Sequence, residues 1–231
     1  KKNLIYIMDK VYVKIGGKRI ATNTVHVTNA NAEKYIFGGS DNVGGYATVK
    51  LDIISFNCNQ QGFMGSRLSP KSYSLEECLE KLITAEKISI KKVDRGCRHL
   101  IMIGLQEWGG IDKQKVSVSV DSVKYEFSII SEGSSLVGMK TLFAYYDTHS
   151  SNASFERGCL IKKNTQCTKS YTGVTFPLWG DKFSISNVHF DFQNIPKDNT
   201  NFLLDKFNKI NHFSDGGHGI VFGDINLRSF Y

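Results

Sequence analysis

Three large apolar residues in a row, Ile220-Val221-Phe222, are followed at once by Gly223 and then by Asp224 and Asn226. A run this short and this apolar suits a strand covered on both faces, so the sheet that holds it must be buried on both sides. Gly223 ends the run. On an extended backbone, positions i and i+2 point to the same side, and a carboxylate and a carboxamide therefore project together where a buried sheet meets solvent. An acid beside an amide donor suits handling a water molecule and an anionic oxygen together. Taken alone, the stretch also fits a strand that runs into an Asx-rich turn.

The same pattern recurs along the chain. Leu51 to Asn59 is an apolar strand ending in Asn57 and Asn59, again at i and i+2. Leu100 to Leu105 runs straight into Gln106-Glu107-Trp108, and the strand at 183–188 ends in Asn187-Val188-His189. Strand ends are where open α/β sheets collect ligands. Between these pieces, Val116, Val118 and Val120 alternate with serine, Asp121-Ser122 turns the chain, and Tyr125 to Ile130 returns it as a hairpin. Met139 to Tyr146 is another apolar strand, and Thr172-Gly173-Val174 begins the one before 183–188.

Two helices are expected. The first covers about 74–91, where Ser74 and Glu77 form a capping box and Leu75, Cys78, Leu79, Leu82 and Ile83 fall at helical spacing. The second covers about 200–212, with Leu203, Phe207 and Ile210 on one face. Residues 147–169 read as a basic, polar, solvated excursion containing Lys162, Lys163 and Lys169, a stretch also able to attract phosphate. Residues 1–50 read as strands and turns, a β-rich extension or added hairpin ahead of a main unit at 51–231.

The 231 residues are enough to bury a real core, and 41% hydrophobic with 22% charged residues is ordinary for a globular chain. No apolar run approaches the length that spans a bilayer. The net charge of +7 favours anionic partners: phosphorylated ligands, nucleic acid or an acidic membrane surface. The five cysteines contain no C-x-x-C zinc pair. Cys159 and Cys167 are close enough in sequence to bridge a loop, but the default for a chain of this size is reduced cytosolic thiols. The expected location is therefore cytoplasmic, with membrane association and secretion left open by the positive charge and the sequon Asn152-Ala153-Ser154.

Ser-Phe-Asn-Cys-Asn (55–59), Gly-Leu-Gln-Glu (104–107), Asn-Val-His-Phe (187–190) and Gly-Asp-Ile-Asn-Leu-Arg (223–228), in this order, resemble the motifs of the endonuclease/exonuclease/phosphatase superfamily of metal-dependent phosphoesterases. Within that superfamily the Gly-Asp-x-Asn-x-Arg form is most similar to inositol polyphosphate 5-phosphatases of the synaptojanin type, which usually carry Tyr where this chain has Leu227. The resemblance implies an α+β fold: two packed mixed or antiparallel β-sheets flanked by helices, a four-layer α/β/β/α sandwich with the site at one edge. It also implies a terminal Ser-Asp-His motif. None of the six histidines here is preceded by aspartate, so the expectation is a longer chain whose C-terminal part lies beyond Tyr231. Without that part the domain would be inactive.

On that resemblance, Glu107 holds Mg²⁺ (or Mn²⁺) with help from Asn57 or Asn59, and Asp224 orients and deprotonates the attacking water. Asn226 and His189 donate hydrogen bonds to phosphate oxygens, while Arg228 and Lys169 bind other phosphates of the substrate. The expected function is Mg²⁺-dependent hydrolysis of inositol polyphosphates or phosphoinositides. The alternatives are a metal-dependent DNA or RNA nuclease of the same superfamily, and a non-catalytic member serving as an interaction module.

Overall fold

In the computed structural model of the chain, residues 5–8, 12–15, 18–21, 24–28, 48–58, 73–86, 88, 97–111, 113–134, 140–149, 152–178, 181–190, 210 and 218–224 are described. The N-terminal strands are β1 (Ile5–Met8), β2 (Tyr12–Ile15), β3 (Lys18–Ala21) and β4 (Thr24–Thr28). They are followed by β5 (Thr48–Asn57), α1 (Leu75–Ala85), β6 (Cys97–Trp108), β7 (Lys115–Val120), β8 (Val123–Glu132) and β9 (Lys140–Asp147). The last four strands are β10 (Ser154–Lys163), β11 (Gln166–Leu178), β12 (Asp181–His189) and β13 (His218–Asp224). Among the described residues the chain is mainly β, with α1 its one helix.

The strands form two mixed sheets. The six-stranded sheet has the order β4-β5-β6-β9-β8-β7, with β5 and β6 parallel and its other pairs antiparallel. The five-stranded sheet has the order β1-β13-β12-β11-β10, with β13 parallel to both β1 and β12. Thus β1 and β4 each join a large sheet, while β2 and β3 pair as a separate hairpin.

Alternation along the strands places the core. Leu51 and Ile53 of β5, Leu100 and Met102 of β6, and Phe143 and Tyr145 of β9 meet Val174, Phe176, Ile185 and Phe222 from the other sheet. Each such side chain contributes about 1.5–3 kcal/mol on burial, and this layer holds the two sheets face to face. The intervening residues Ile54, Ile101, Ile103 and Leu105 face the opposite way, onto α1. Gly104 leaves room for side chains of the facing sheet, because a Cβ there would overlap Phe222 Cε2 and Asn187 Cγ.

The capping box forms as expected: Glu77 N donates to Ser74 Oγ at 3.2 Å, and Ser74 N donates to Glu77 Oε2 at 2.8 Å. Leu75, Leu79 and Ile83, one turn apart, are the buried stripe of α1. The helix is shorter than the expected 74–91. It stops at Ala85, and Ile88 N donates to Ile83 O at 3.1 Å, folding the buried Ile88 back towards the sheet. The expected helix at 200–212 lies outside the described residues except for Ile210, which is buried with Tyr171, Val188, Phe190 and Val221.

The 116–130 hairpin turns at Asp121 and Ser122, whose φ values of 50° and 65° are those of a type I′ turn. The segment 147–169 is not a solvated excursion. It forms β10 and the start of β11, an antiparallel edge hairpin turning at Asn164-Thr165. A disulfide joins Cys159 to Cys167 across this hairpin, in place of the reduced thiols expected by default. Far from the turn, Arg98 Nε and Nη2 donate to Asp147 Oδ1 and Oδ2 at 3.1 and 2.7 Å, and Nη1 donates to Pro177 O at 2.8 Å. This buried fork ties the six-stranded sheet to β11. Among the described residues no helix is long and apolar enough to cross a membrane.

Candidate active site

Four strands end together at the opposite end of β6 from Arg98. Asn57 closes β5, Glu107 lies at the end of β6, His189 closes β12 and Asp224 closes β13. His189 and Asp224 are direct partners in the parallel β12–β13 ladder, and Asn57 is the partner of Gln106 in the parallel β5–β6 ladder. Asn57 shares the parity of Leu51 and Ile53, His189 that of Ile185, and Asp224 that of Phe222. All three therefore point to the side where the sheets face each other.

Glu107 obeys a different rule. By alternation it belongs with Ile101, Ile103 and Leu105, facing α1. Instead the β6–β9 register shifts between Leu105 and Trp108, and Glu107 takes φ +54°, in the left-handed region. Trp108 fills the α1 side and is 1% exposed. The bulge turns the Glu107 carboxylate towards the other three side chains. A non-glycine residue in this conformation stores strain of order 1 kcal/mol.

The contacts are close. Asn57 Nδ2 donates to Asp224 Oδ2 at 2.9 Å and reaches Glu107 Oε1 at 3.5 Å. His189 Nε2 lies 3.7 Å from Glu107 Oε1 and 3.8 Å from Asp224 Oδ2. Glu107, His189 and Asp224 each offer a ligand atom, and the three lie within 4.8 Å of one another. The His189 side chain is 1% exposed, against 20% for Glu107 and 25% for Asp224, so the acids face solvent and the imidazole backs them. Lys169 Nζ is 2.5 Å from His189 Nε2. An ammonium only donates, so a charged Lys169 is the donor of this pair.

Two residues without an assigned role in the sequence hold this end together. Gln106 Nε2 donates to Asn187 Oδ1 at 2.6 Å, and Asn187 Nδ2 donates to Leu142 O at 2.9 Å and Leu105 O at 3.3 Å. Both amides are buried, and they link β12 to β6 and β9 directly beneath His189. The available signal was position: Asn187 stands at i−2 from His189, on the same inward face. Gly223, at φ +128°, is equally constrained, because a Cβ would strike the backbone of Val188.

Of the residues expected at the site, the structure brings Asn57, Glu107, Lys169, His189 and Asp224 together. Asn59, Asn226 and Arg228 lie outside the described residues. No protein-family model matches the chain, and no curated protein matches it.

Proposed function

We propose that the chain is a Mg²⁺-dependent phosphoester hydrolase acting on inositol polyphosphates or phosphoinositide headgroups. The observation that carries this reading is the meeting of Glu107, His189 and Asp224 within 4.8 Å at one open edge of two packed sheets, with Asn57 bridging the two acids. The finer fold reading, a sandwich with a helical layer on each side, draws support from α1 packed on one sheet.

The donor set suits a hard divalent ion. The Glu107 carboxylate and the Asn57 carboxamide supply oxygens of the kind that Mg²⁺ takes at about 2.1 Å. Glu107 with Asn57 would hold the ion, and Asn59 remains a proposed third ligand. When bound, Mg²⁺ would neutralise charge on the phosphoryl group and stabilise the leaving oxygen.

The chain's own groups do the rest. Asp224, one quarter exposed and oriented by the 2.9 Å bond from Asn57, positions a water and takes its proton. Lys169 donates to a phosphoryl oxygen, and His189, in the tautomer that carries its proton on Nε2, donates to the same group. Asn226 is proposed as a further donor, and Arg228 as a contact to a second phosphate of the substrate.

The test is hydrolysis of inositol polyphosphates, phosphoinositide vesicles and labelled DNA, each with Mg²⁺ and with EDTA. Mg²⁺-dependent release of inorganic phosphate from the inositol substrates is expected. DNA cleavage without phosphate release would transfer the site to the nuclease reading. Inertness on all substrates, in a chain extended beyond Tyr231, would leave the interaction module.

A further inference from the structure

Beside the candidate site, and separate from its chemistry, lie two thiols. Cys58 directly follows Asn57 at the end of β5, and its N–H donates to Gln106 O at 2.8 Å, which fixes its backbone. Cys78 is on the first turns of α1, half-buried, whereas Cys58 is fully buried; both are free. Cys78 packs against the buried cluster that contains Cys58. Both line a cavity of about 260 Å³ whose wall also includes Asn57, Tyr73 and Lys81. Lys81, one helical turn after Cys78, is held there with Nζ 3.6 Å from the centre of the Tyr73 ring.

We propose that Cys58 and Cys78 form a peroxide-responsive thiol pair that closes to an intrachain disulfide and ties α1 to the end of β5. The proposal stands independently of the phosphoesterase reading. Cys78 has the features of an attacking sulfur: it faces the cavity, and its neighbour Lys81 carries a positive charge. The Cys58 side chain holds the Cys78 thiol below the ordinary cysteine range, against the opposing effect of burial and with help from Lys81. That raises the share of thiolate, the form that reacts.

The steps balance with hydrogen peroxide as oxidant. The Cys78 thiolate attacks one peroxide oxygen, the O–O bond breaks, and hydroxide leaves, giving a sulfenic acid. The Cys58 sulfur then attacks the Cys78 sulfur. The S–O bond breaks, and the oxygen departs as water with the Cys58 proton. Two thiols are oxidised by two electrons, and one peroxide is reduced to two waters. Because Cys58 is already pinned to β6, α1 is the partner that adjusts, and the linkage is anchored one residue from Asn57.

Trypsin separates the two sulfurs, since cleavage after Lys50, Arg67, Lys71 and Lys81 puts Cys58 on 51–67 and Cys78 on 72–81. The chain is treated with hydrogen peroxide, blocked with iodoacetamide and digested without reductant. The expected product is a cross-link between those two peptides that dithiothreitol releases. In Cys58→Ser, dimedone should instead label Cys78 as the trapped sulfenic acid, and in Cys78→Ser the Cys58 thiol should survive. Recovery of both wild-type peptides unlinked, whether alkylated or with Cys78 over-oxidised, overturns the proposal. So does a cross-link of either peptide to Cys159 or Cys167 in its place.

Discussion

Asn57 Nδ2 donates to Asp224 Oδ2 at 2.9 Å although 167 residues separate them. One amide at the end of β5 thereby fixes the carboxylate at the end of β13, joining the two sheets at the candidate site. If Asp224 activates water, Asp224→Asn should lower kcat by roughly 10²–10⁴-fold with little change in KM, because proton removal matters only in the transition state. Steady-state kinetics on an inositol polyphosphate would measure it. A kcat within a few-fold of the parent would remove the general-base role.

Glu107 separates function from stability. Glu107→Gln keeps size but removes charge, so Mg²⁺-dependent turnover should be lost while the thermal midpoint barely moves. Glu107→Gly should also be inactive, yet more stable by about 1 kcal/mol, because glycine accepts the +54° φ without strain. A Glu107→Gly variant less stable than the parent in urea titration would show that its side-chain contacts outweigh the backbone strain.

Lys169→Ala should raise KM about tenfold or more, since charge-assisted hydrogen bonds contribute roughly 1.5–3 kcal/mol. The remaining affinity should depend less steeply on salt than that of the parent. Equal KM values and equal salt slopes would assign Lys169 to holding His189 alone.

Gly104→Ala should destabilise the chain by about 1–3 kcal/mol or more through overpacking, because the new Cβ overlaps Phe222 and Asn187. The displaced Asn187 also carries the Gln106 bond, so activity should fall with stability. Chemical denaturation reads the first effect, and kcat at a temperature where the variant is folded reads the second.

Glu76 at the start of α1 pairs with Lys113, whose hydrogen bond holds the Glu76 carboxyl below its ordinary value. A depressed carboxylate stabilises the fold above its unfolded pKa of about 4.3, and that contribution fades as pH falls through the lower folded value. Both side chains are about a third or more exposed, so screening keeps the contribution under about 1 kcal/mol. Glu76→Gln should therefore be slightly less stable than the parent near neutral pH and equal to it in strong acid. A difference that persists in acid would have a cause other than the ion pair.

Much of the fold was legible because β5, β6, β9 and β13 are near-continuous apolar runs, which only a sheet covered on both faces accommodates. The hairpin at 154–178 was hidden because edge strand β10 alternates weakly and carries Arg157, Lys162 and Lys163, charges that suit an exposed edge as well as a loop. At the site, Asn57, His189 and Asp224 could be placed by parity alone. Glu107 could not: alternation sends it towards α1, and only the bulge after Leu105 reverses it. The buried link between Gln106 and Asn187 was equally invisible, since neither amide's partner is near it in sequence.

The dependence of the site on strand register has a further consequence. Asn57, His189 and Asp224 each have a neighbour of opposite facing, namely Phe56, Val188 and Gly223. A one-residue slip in any of their strands would present that neighbour at the edge and bury a polar group in its stead. Misaligned chains would thus be both unstable and inert. Catalytic competence would then act as proofreading of the fold, reporting in one measurement that these three strands had each found the right partner.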